Sequence, residues 1–147
     1  MEKIHNIVVP VDFLKSADKL VKYATYMAGE LSATIHFIHV VELYSGDAML
    51  GTPYTHEYRE MFLSDAKLRM TNLVADYKAQ LPGCTGEVVF GDPVDKIVEY
   101  ANEKHADLII ISTHGAKGLE KILLGSVAER VLKRAHCPVL IMNPFKK

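Results

Sequence analysis

The feature that most constrains the fold is a regular alternation of short apolar runs with segments of helical periodicity. The apolar runs are short and rich in β-branched residues, as buried strands are. They lie at 4–11, 34–41, 87–90, 108–111 and 139–142. Segments with helical spacing follow the first four runs, at 16–31, about 58–80, 93–104 and 127–135. The sequence therefore predicts parallel strands joined by helical crossovers.

Individual positions support the helical segments. Pro93 suits the first position of its helix, because a helix needs no hydrogen bond from that N–H. The apolar positions that recur at helical spacing are Leu20, Tyr23, Ala24, Met27 and Ala28 in the first helix, and Met61, Leu68 and Leu73 in the second.

Alternating strands and helices specify the architecture. A parallel sheet must be covered on both faces, and right-handed crossovers wind the chain in both directions from its centre. With 147 residues, of which 49% are hydrophobic, the chain can bury about two-thirds of its unfolded surface in one core. We predict a single α/β domain over residues 1–147, built on a doubly wound, five-stranded parallel sheet.

Charge and hydropathy exclude several classes of partner. The formal net charge is −1, and the largest basic group is the short cluster of Arg130, Lys133 and Arg134, so we expect no nucleic-acid binding. No apolar run approaches the ~20 residues of a membrane span, and residues 1–5 do not resemble a signal peptide. We expect a cytoplasmic protein without a membrane partner.

Residues that bind metals or catalyse reactions form no readable motif. His36 and His39 point to opposite faces if they share a strand, so they cannot share a metal. Cys84 and Cys137 lack metal-ligand spacing and are predicted to be reduced thiols with packing roles. There is no Walker lysine motif, and no histidine is spaced to activate Ser126. The sequence leaves catalysis open and favours nothing beyond a slow ATPase.

A glycine-containing stretch after the fourth strand has the composition of a phosphate-binding turn. It runs from Ile111 to Gly115 and, after nine residues, reaches Gly125 and Ser126, where a helical pattern begins. Small residues let backbone N–H groups approach an anion, and a helix N-terminus adds unpaired donors. The alternative needs no ligand, because Ser126 and Glu129 have the spacing of a capping box.

The end of the first strand provides a second candidate contact. Ligands of doubly wound sheets bind beyond the strand carboxyl ends, where the strand order reverses. If strands one and four are neighbours, Asp12 and Gly115 face each other across that crevice, and Asp12 can accept hydrogen bonds from a ribose. The alternative for Asp12 is an Asx turn that leads into the first helix.

Taken together, four segments resemble the universal stress protein family, in its ATP-binding branch. They are Pro10-Val11-Asp12 after the first strand, Ile38-His39-Val40 in the second, Gly115 with Gly125-Ser126, and Cys137-Pro138-Val139-Leu140-Ile141 in the last. The match covers the whole chain.

This resemblance implies a Rossmann-like fold of the adenine nucleotide alpha hydrolase type, with strand order 3-2-1-4-5. It implies a regulatory module of the stress response that binds ATP, or AMP or ADP, with Mg²⁺ held by the nucleotide phosphates rather than by the protein alone. It also implies a homodimer joined through the last strand, read by a downstream partner that the sequence does not identify. The binding residues carried over are Pro10, Val11, Asp12, Val40, Ile111, Ser112, His114, Gly115, Gly125, Ser126, Val127 and Ala128.

Two departures from the family pattern limit what the resemblance implies and leave an alternative open. Ser112 stands where the nucleotide motif has its first glycine, and Leu14 stands where many members have a serine. The alternative function is a nucleotide-free dimeric interaction protein with a degraded site. Within the turn, His114, Lys117 and Lys121 are either phosphate contacts or solvated side chains, and the 44–56 loop is predicted to cover the crevice mouth or to contact a partner subunit.

Overall fold

The computed structural model describes residues 2–42, 56–113 and 124–145. In these ranges the chain alternates between strands and helices as the periodicity predicts. The elements are β1 (Asn6–Pro10), α1 (Ala17–Leu31), β2 (Thr34–Val41), α2 (His56–Tyr77), β3 (Thr85–Phe90), α3 (Pro93–Glu103), β4 (Leu108–Ser112), α4 (Ser126–Arg134) and β5 (Val139–Met142). None of the helices in the described ranges is long and apolar enough to cross a membrane.

The strands form one five-stranded parallel sheet in the order β3-β2-β1-β4-β5. Val8 of β1 lies beside His36 of β2 on one side and Ile109 of β4 on the other. The chain winds outward from β1 to β3, crosses back to β4, and then winds the other way. The predicted doubly wound sheet and its strand order are confirmed, and the order reverses between β1 and β4.

Successive residues of the central strands face opposite sides of the sheet and form two cores. Ile7 of β1 packs with Phe37 of β2 on the face covered by α1 and α2. Val8 packs with Ile109 of β4 on the face covered by α3 and α4. All four residues are almost completely buried, which explains why these strands are uninterrupted apolar runs.

Both helices are confirmed, but three of the apolar positions that indicated them are exposed. Tyr23 in α1 is 37% exposed, and Met61 and Leu68 in α2 are 56% and 62% exposed. Helix α2 instead buries Ala66 and Met70. It carries apolar residues on both of its faces, so periodicity alone did not identify the face that packs against the sheet.

A buried histidine of β2 links its strand to both neighbouring strands, β1 and β3. The ring nitrogens of His36 lie 2.7 Å from Thr85 Oγ1 on β3 and 3.1 Å from Asn6 Oδ1 on β1. The nearby Tyr100 hydroxyl of α3 donates to the Phe37 carbonyl at 3.2 Å. Burial, followed by the charge of Lys104, lowers the pKa of His36. His36 is therefore a neutral structural residue that bridges its neighbours.

The cysteines have the packing roles that the sequence predicts. Cys84 is buried, and Cys137 is half-buried with its thiol pKa raised by burial. Both are free thiols. Within the described ranges, no group of three or more His, Cys, Asp or Glu residues is placed to hold a metal ion.

Two glycines provide a matched test of the packing between α2 and β3. We expect Gly86→Ala to lower the free energy of unfolding by about 1–3 kcal/mol, because the new methyl group would overlap the buried Met70 Sδ and lie 2.8 Å from Val74 Cγ2. Gly29→Ala in α1 meets nothing within 4 Å and should raise stability by about 0.5–1 kcal/mol. Urea unfolding of both variants measures these changes. A Gly86→Ala protein as stable as the parent would show that the side chains of α2 beside Gly86 shift at no cost.

Candidate functional site

The candidate site lies where β1 and β4 end side by side at the reversal of strand order. Pro10 is the last residue of β1 and Ser112 the last of β4. Parallel pairing brings both carboxyl ends to the same edge of the sheet. Ligands of doubly wound sheets bind beyond this edge.

A tight turn follows β1 and carries Asp12. The Val11 N–H continues the sheet by donating to the Ile38 carbonyl at 2.9 Å. Asp12 Oδ1 then accepts a hydrogen bond from the Leu14 N–H at 2.9 Å, which is the Asx turn that the sequence left open. Phe13 between them has φ of 60°, in the left-handed region. The carboxylate of Asp12 is thus held at the end of β1, next to the crevice.

Side chains from α1 and α2 line the other side of this turn. A cleft of about 410 Å³ opens between the two helices, and Phe13 and Leu14 contribute to its wall together with Val21, Leu73 and Tyr77. The side chain of Leu14 therefore faces the α1 and α2 side. Leucine in place of serine changes that wall and leaves the Asx turn in place.

His39 of β2 contacts the same turn on both sides of Asp12. Its Nδ1 lies 2.6 Å from the Val11 carbonyl oxygen, and its ring centroid lies 4.8 Å from that of Phe13. A carbonyl only accepts hydrogen bonds, so Nδ1 carries the hydrogen. Strand alternation placed His39 on the opposite face from His36, but it gave no signal for these contacts.

The end of β4 is connected to the start of α4 by backbone hydrogen bonds. The Thr113 N–H donates to the Met142 carbonyl of β5 at 2.8 Å, and the Gly125 N–H donates to the Thr113 carbonyl at 2.7 Å. Gly125 therefore lies against the end of β4, although residues 114–124 separate it from Thr113 in sequence. Close association of the fourth strand with this helix N-terminus is what the phosphate-turn interpretation requires.

The capping box, which was the alternative to a phosphate-binding turn, does not form in the described residues. The N-cap of α4 is Gly125, and Ser126 is already the first helical residue. Glu129 donates its N–H to the Gly125 carbonyl at 3.0 Å, while its carboxylate pairs with Lys133 at 3.1 Å. In the described part of the chain, no side-chain hydrogen bond caps this helix.

Since no side chain of the described residues caps α4, its first-turn N–H groups remain available as donors there. Ser126, Val127 and Ala128 form this first turn. Their N–H groups have no partner within the helix, and the positive end of the helix dipole lies here. Backbone donors in this arrangement favour an anion such as a phosphate.

Ser112 adopts a conformation that does not require glycine. It is the last residue of β4, pairs with Met142, and has no positive φ. Strain is therefore not a consequence of serine at this position. Backbone conformation therefore gives no reason for a glycine at this position.

The structure brings together most of the predicted binding residues. Pro10, Val11, Asp12 and Val40 lie at the ends of β1 and β2, Ile111 and Ser112 at the end of β4, and Gly125, Ser126, Val127 and Ala128 at the start of α4. His114, Gly115, Lys117 and Lys121 lie outside the described residues, as does the 44–55 part of the predicted loop, while His56 begins α2.

The order of strands in the sheet and the geometry of the candidate site together indicate the class of protein. It is a small α/β domain with an anion-favouring helix N-terminus at the reversal point of its sheet. The family model of the universal stress protein family matches residues 3–143, and the chain belongs to that family.

Similarity to individual relatives extends over nearly the whole chain. The chain is 35% identical to universal stress protein MJ0531 of Methanocaldococcus jannaschii, covering 96% of this chain and 83% of that protein. It is 31% identical to universal stress protein MJ0577 of the same organism over 93% of each chain. The solved structure of MJ0577 superposes with a TM-score of 0.81 at 26% identity and 99% coverage of both chains.

One solved relative carries a nucleotide. A universal stress protein crystallised in complex with cAMP is 25% identical, with a TM-score of 0.61, and the match covers 97% of this chain and 99% of that one.

Proposed function

We propose that this protein binds an adenine nucleotide, ATP or its relatives AMP and ADP, in the crevice between the ends of β1 and β4. The observation that carries the proposal is the N-terminus of α4, which no side chain of the described residues caps and whose N-cap Gly125 is hydrogen-bonded to the end of β4. The cAMP complex of a relative supports an adenine nucleotide as the ligand class.

Each part of the crevice suits one part of the nucleotide. The N–H groups of Ser126, Val127 and Ala128 suit the phosphates. Asp12 offers a carboxylate for the ribose hydroxyls, and Val40 offers an apolar surface for the adenine. Bound Mg²⁺ would offset phosphate charge, and in this proposal it is held through phosphate oxygens, consistent with its preference for few protein ligands.

Binding rather than catalysis is the proposed activity. Phosphoryl transfer requires cations positioned at the γ-phosphate, and the sequence has no Walker lysine motif to supply one. Hydrolysis is therefore expected to be slow at most. We propose a cytoplasmic regulatory module of the stress response, in which nucleotide binding stabilises one conformation that a downstream partner recognises.

Homodimer formation is proposed through β5. This strand is at the edge of the described sheet, pairs with β4 there, and consists of four half-buried apolar residues. Exposed apolar edges favour pairing with another chain. Sedimentation at about 50 µM should give a mass of about 33 kDa, twice the 16.4 kDa of the chain. A particle of monomer mass would indicate that the chain's own C-terminal residues protect the edge.

Ser112→Gly tests the departure from the family motif. We expect roughly three- to tenfold weaker ATP binding, because the serine hydroxyl is proposed to donate to a ribose or phosphate oxygen. Melting without nucleotide should be unchanged or slightly lower, since Ser112 carries no positive φ and glycine adds unfolded-state entropy. Calorimetric titration and thermal melting measure both quantities. Tighter ATP binding in the variant would contradict the hydroxyl contact.

The small molecules that remain bound to the purified protein distinguish a nucleotide-binding module from a nucleotide-free interaction protein. Mass spectrometry after denaturation should detect a stoichiometric adenine nucleotide, or one should be retained after incubation with ATP and Mg²⁺. A protein that retains none at millimolar ATP would favour the nucleotide-free interaction protein.

A further inference from the structure

We infer that His39 is a positioning residue for the nucleotide, which fixes the turn after β1 so that the Asp12 carboxylate stays at the crevice. This inference deepens the proposed function and rests on it, because Asp12 is taken as a nucleotide contact. His39 itself is assigned no contact with the ligand.

The first contact of His39 fixes the backbone before Asp12. The N–H of Val11 donates to the Ile38 carbonyl at 2.9 Å, and the carbonyl of Val11 accepts from His39 Nδ1 at 2.6 Å. Both polar groups of this peptide segment are therefore bound to β2. The Val11 side chain is also buried, so packing and the two hydrogen bonds together fix the orientation of Val11 relative to the sheet.

The second contact supports the residue after Asp12. Phe13 has φ of 60°, a conformation that costs strain for a residue with a bulky side chain. Its ring packs against the His39 ring, with centroids 4.8 Å apart and planes tilted by 49°. An aromatic pair at this distance stabilises the strained turn.

Local bonds alone do not hold this turn relative to the sheet. The hydrogen bond from the Leu14 N–H to Asp12 Oδ1 joins residues two apart, so it moves with the turn. The contacts from His39 come from a strand paired on both sides, 28 positions from Val11. His39 therefore fixes the position of the Asp12 carboxylate relative to the sheet.

Two substitutions separate the hydrogen bond from the mere presence of a side chain. Asparagine carries an amide nitrogen at the same branch position as Nδ1 of histidine, whereas leucine has similar bulk and no donor. We expect His39→Leu to weaken binding of ATP with Mg²⁺ roughly five- to tenfold and His39→Asn to stay within about threefold of the parent. His5→Leu, at an exposed histidine, is the matched control.

A double-mutant cycle tests whether His39 acts through Asp12. In an Asp12→Ala background, His39→Leu should change affinity less than about twofold, because the group that it positions is gone. An effect of equal size in both backgrounds, or equal losses for leucine and asparagine, would overturn the inference.

The position of the turn is also observable without nucleotide. Hydrogen exchange of the Leu14 amide, followed by NMR, reports its hydrogen bond to Asp12: exchange should be faster than in the parent in His39→Leu and close to the parent rate in His39→Asn. A parent protein that binds no ATP would overturn the proposed function, whereas a parent that binds ATP, with unchanged exchange of the Leu14 amide in His39→Leu, would overturn only the role of His39.

Discussion

Gly125→Val is expected to lower ATP affinity by at least roughly a hundredfold, through lost contacts to a charged group worth about 1.5–3 kcal/mol each. Gly125 has φ of −61° and ψ of 152°, which valine adopts without strain, so conformation does not require glycine here. Its location at the N-cap of α4 places the new side chain beside the first-turn N–H groups. The branched side chain would occupy the space proposed for the phosphates.

Stability provides the control for this variant. The hydrogen bond from the Gly125 N–H to the Thr113 carbonyl is available to any residue except proline. Valine is a poorer N-cap than glycine, so we expect a loss of about 1 kcal/mol or less in unfolding free energy. Gly125→Ala should show an intermediate affinity. Valine and alanine variants that bind ATP as tightly as the parent would place the phosphates elsewhere.

Asp12→Ala is expected to weaken ATP binding roughly ten- to a hundredfold, the value of a hydrogen bond to a charged group. Alanine also removes the acceptor for the Leu14 N–H, so the variant changes both the ligand contact and the turn. Asp12→Asn separates the two effects, because its amide oxygen keeps the bond to Leu14 while the charge is lost.

Calorimetric titration of the two Asp12 variants gives their affinities. We expect asparagine to lose less than alanine. Equal losses would mean that the carboxylate charge carries the whole contact, and unchanged affinity in both would mean that Asp12 serves the turn alone.

Much of the fold follows from local sequence. Strands such as 108–111 are buried on both faces and read as continuous β-branched runs, which made the parallel sheet predictable. The helical spacing located α2, although its apolar positions Met61 and Leu68 are exposed while Ala66 and Met70 are buried. Periodicity detects an apolar face, but it does not choose between two of them.

Site prediction was limited by contacts between residues distant in sequence. The Asx turn at Asp12 is local and was among the alternatives considered. Gly125, the N-cap of α4, donates its N–H to the Thr113 carbonyl, twelve residues away, and sequence reasoning gave no signal for this contact. The contact between His39 and Val11 depends on strand pairing. Such contacts appear only once the sheet has formed.

Calorimetric titration of the parent protein with ATP and Mg²⁺ tests the central claim most directly. We predict saturable binding to one site per chain, accompanied by a stabilisation of about 2.7 kcal/mol when free ATP reaches 100 times its dissociation constant. A titration without heat, together with an unshifted melting temperature at millimolar ATP, would contradict nucleotide binding by this domain.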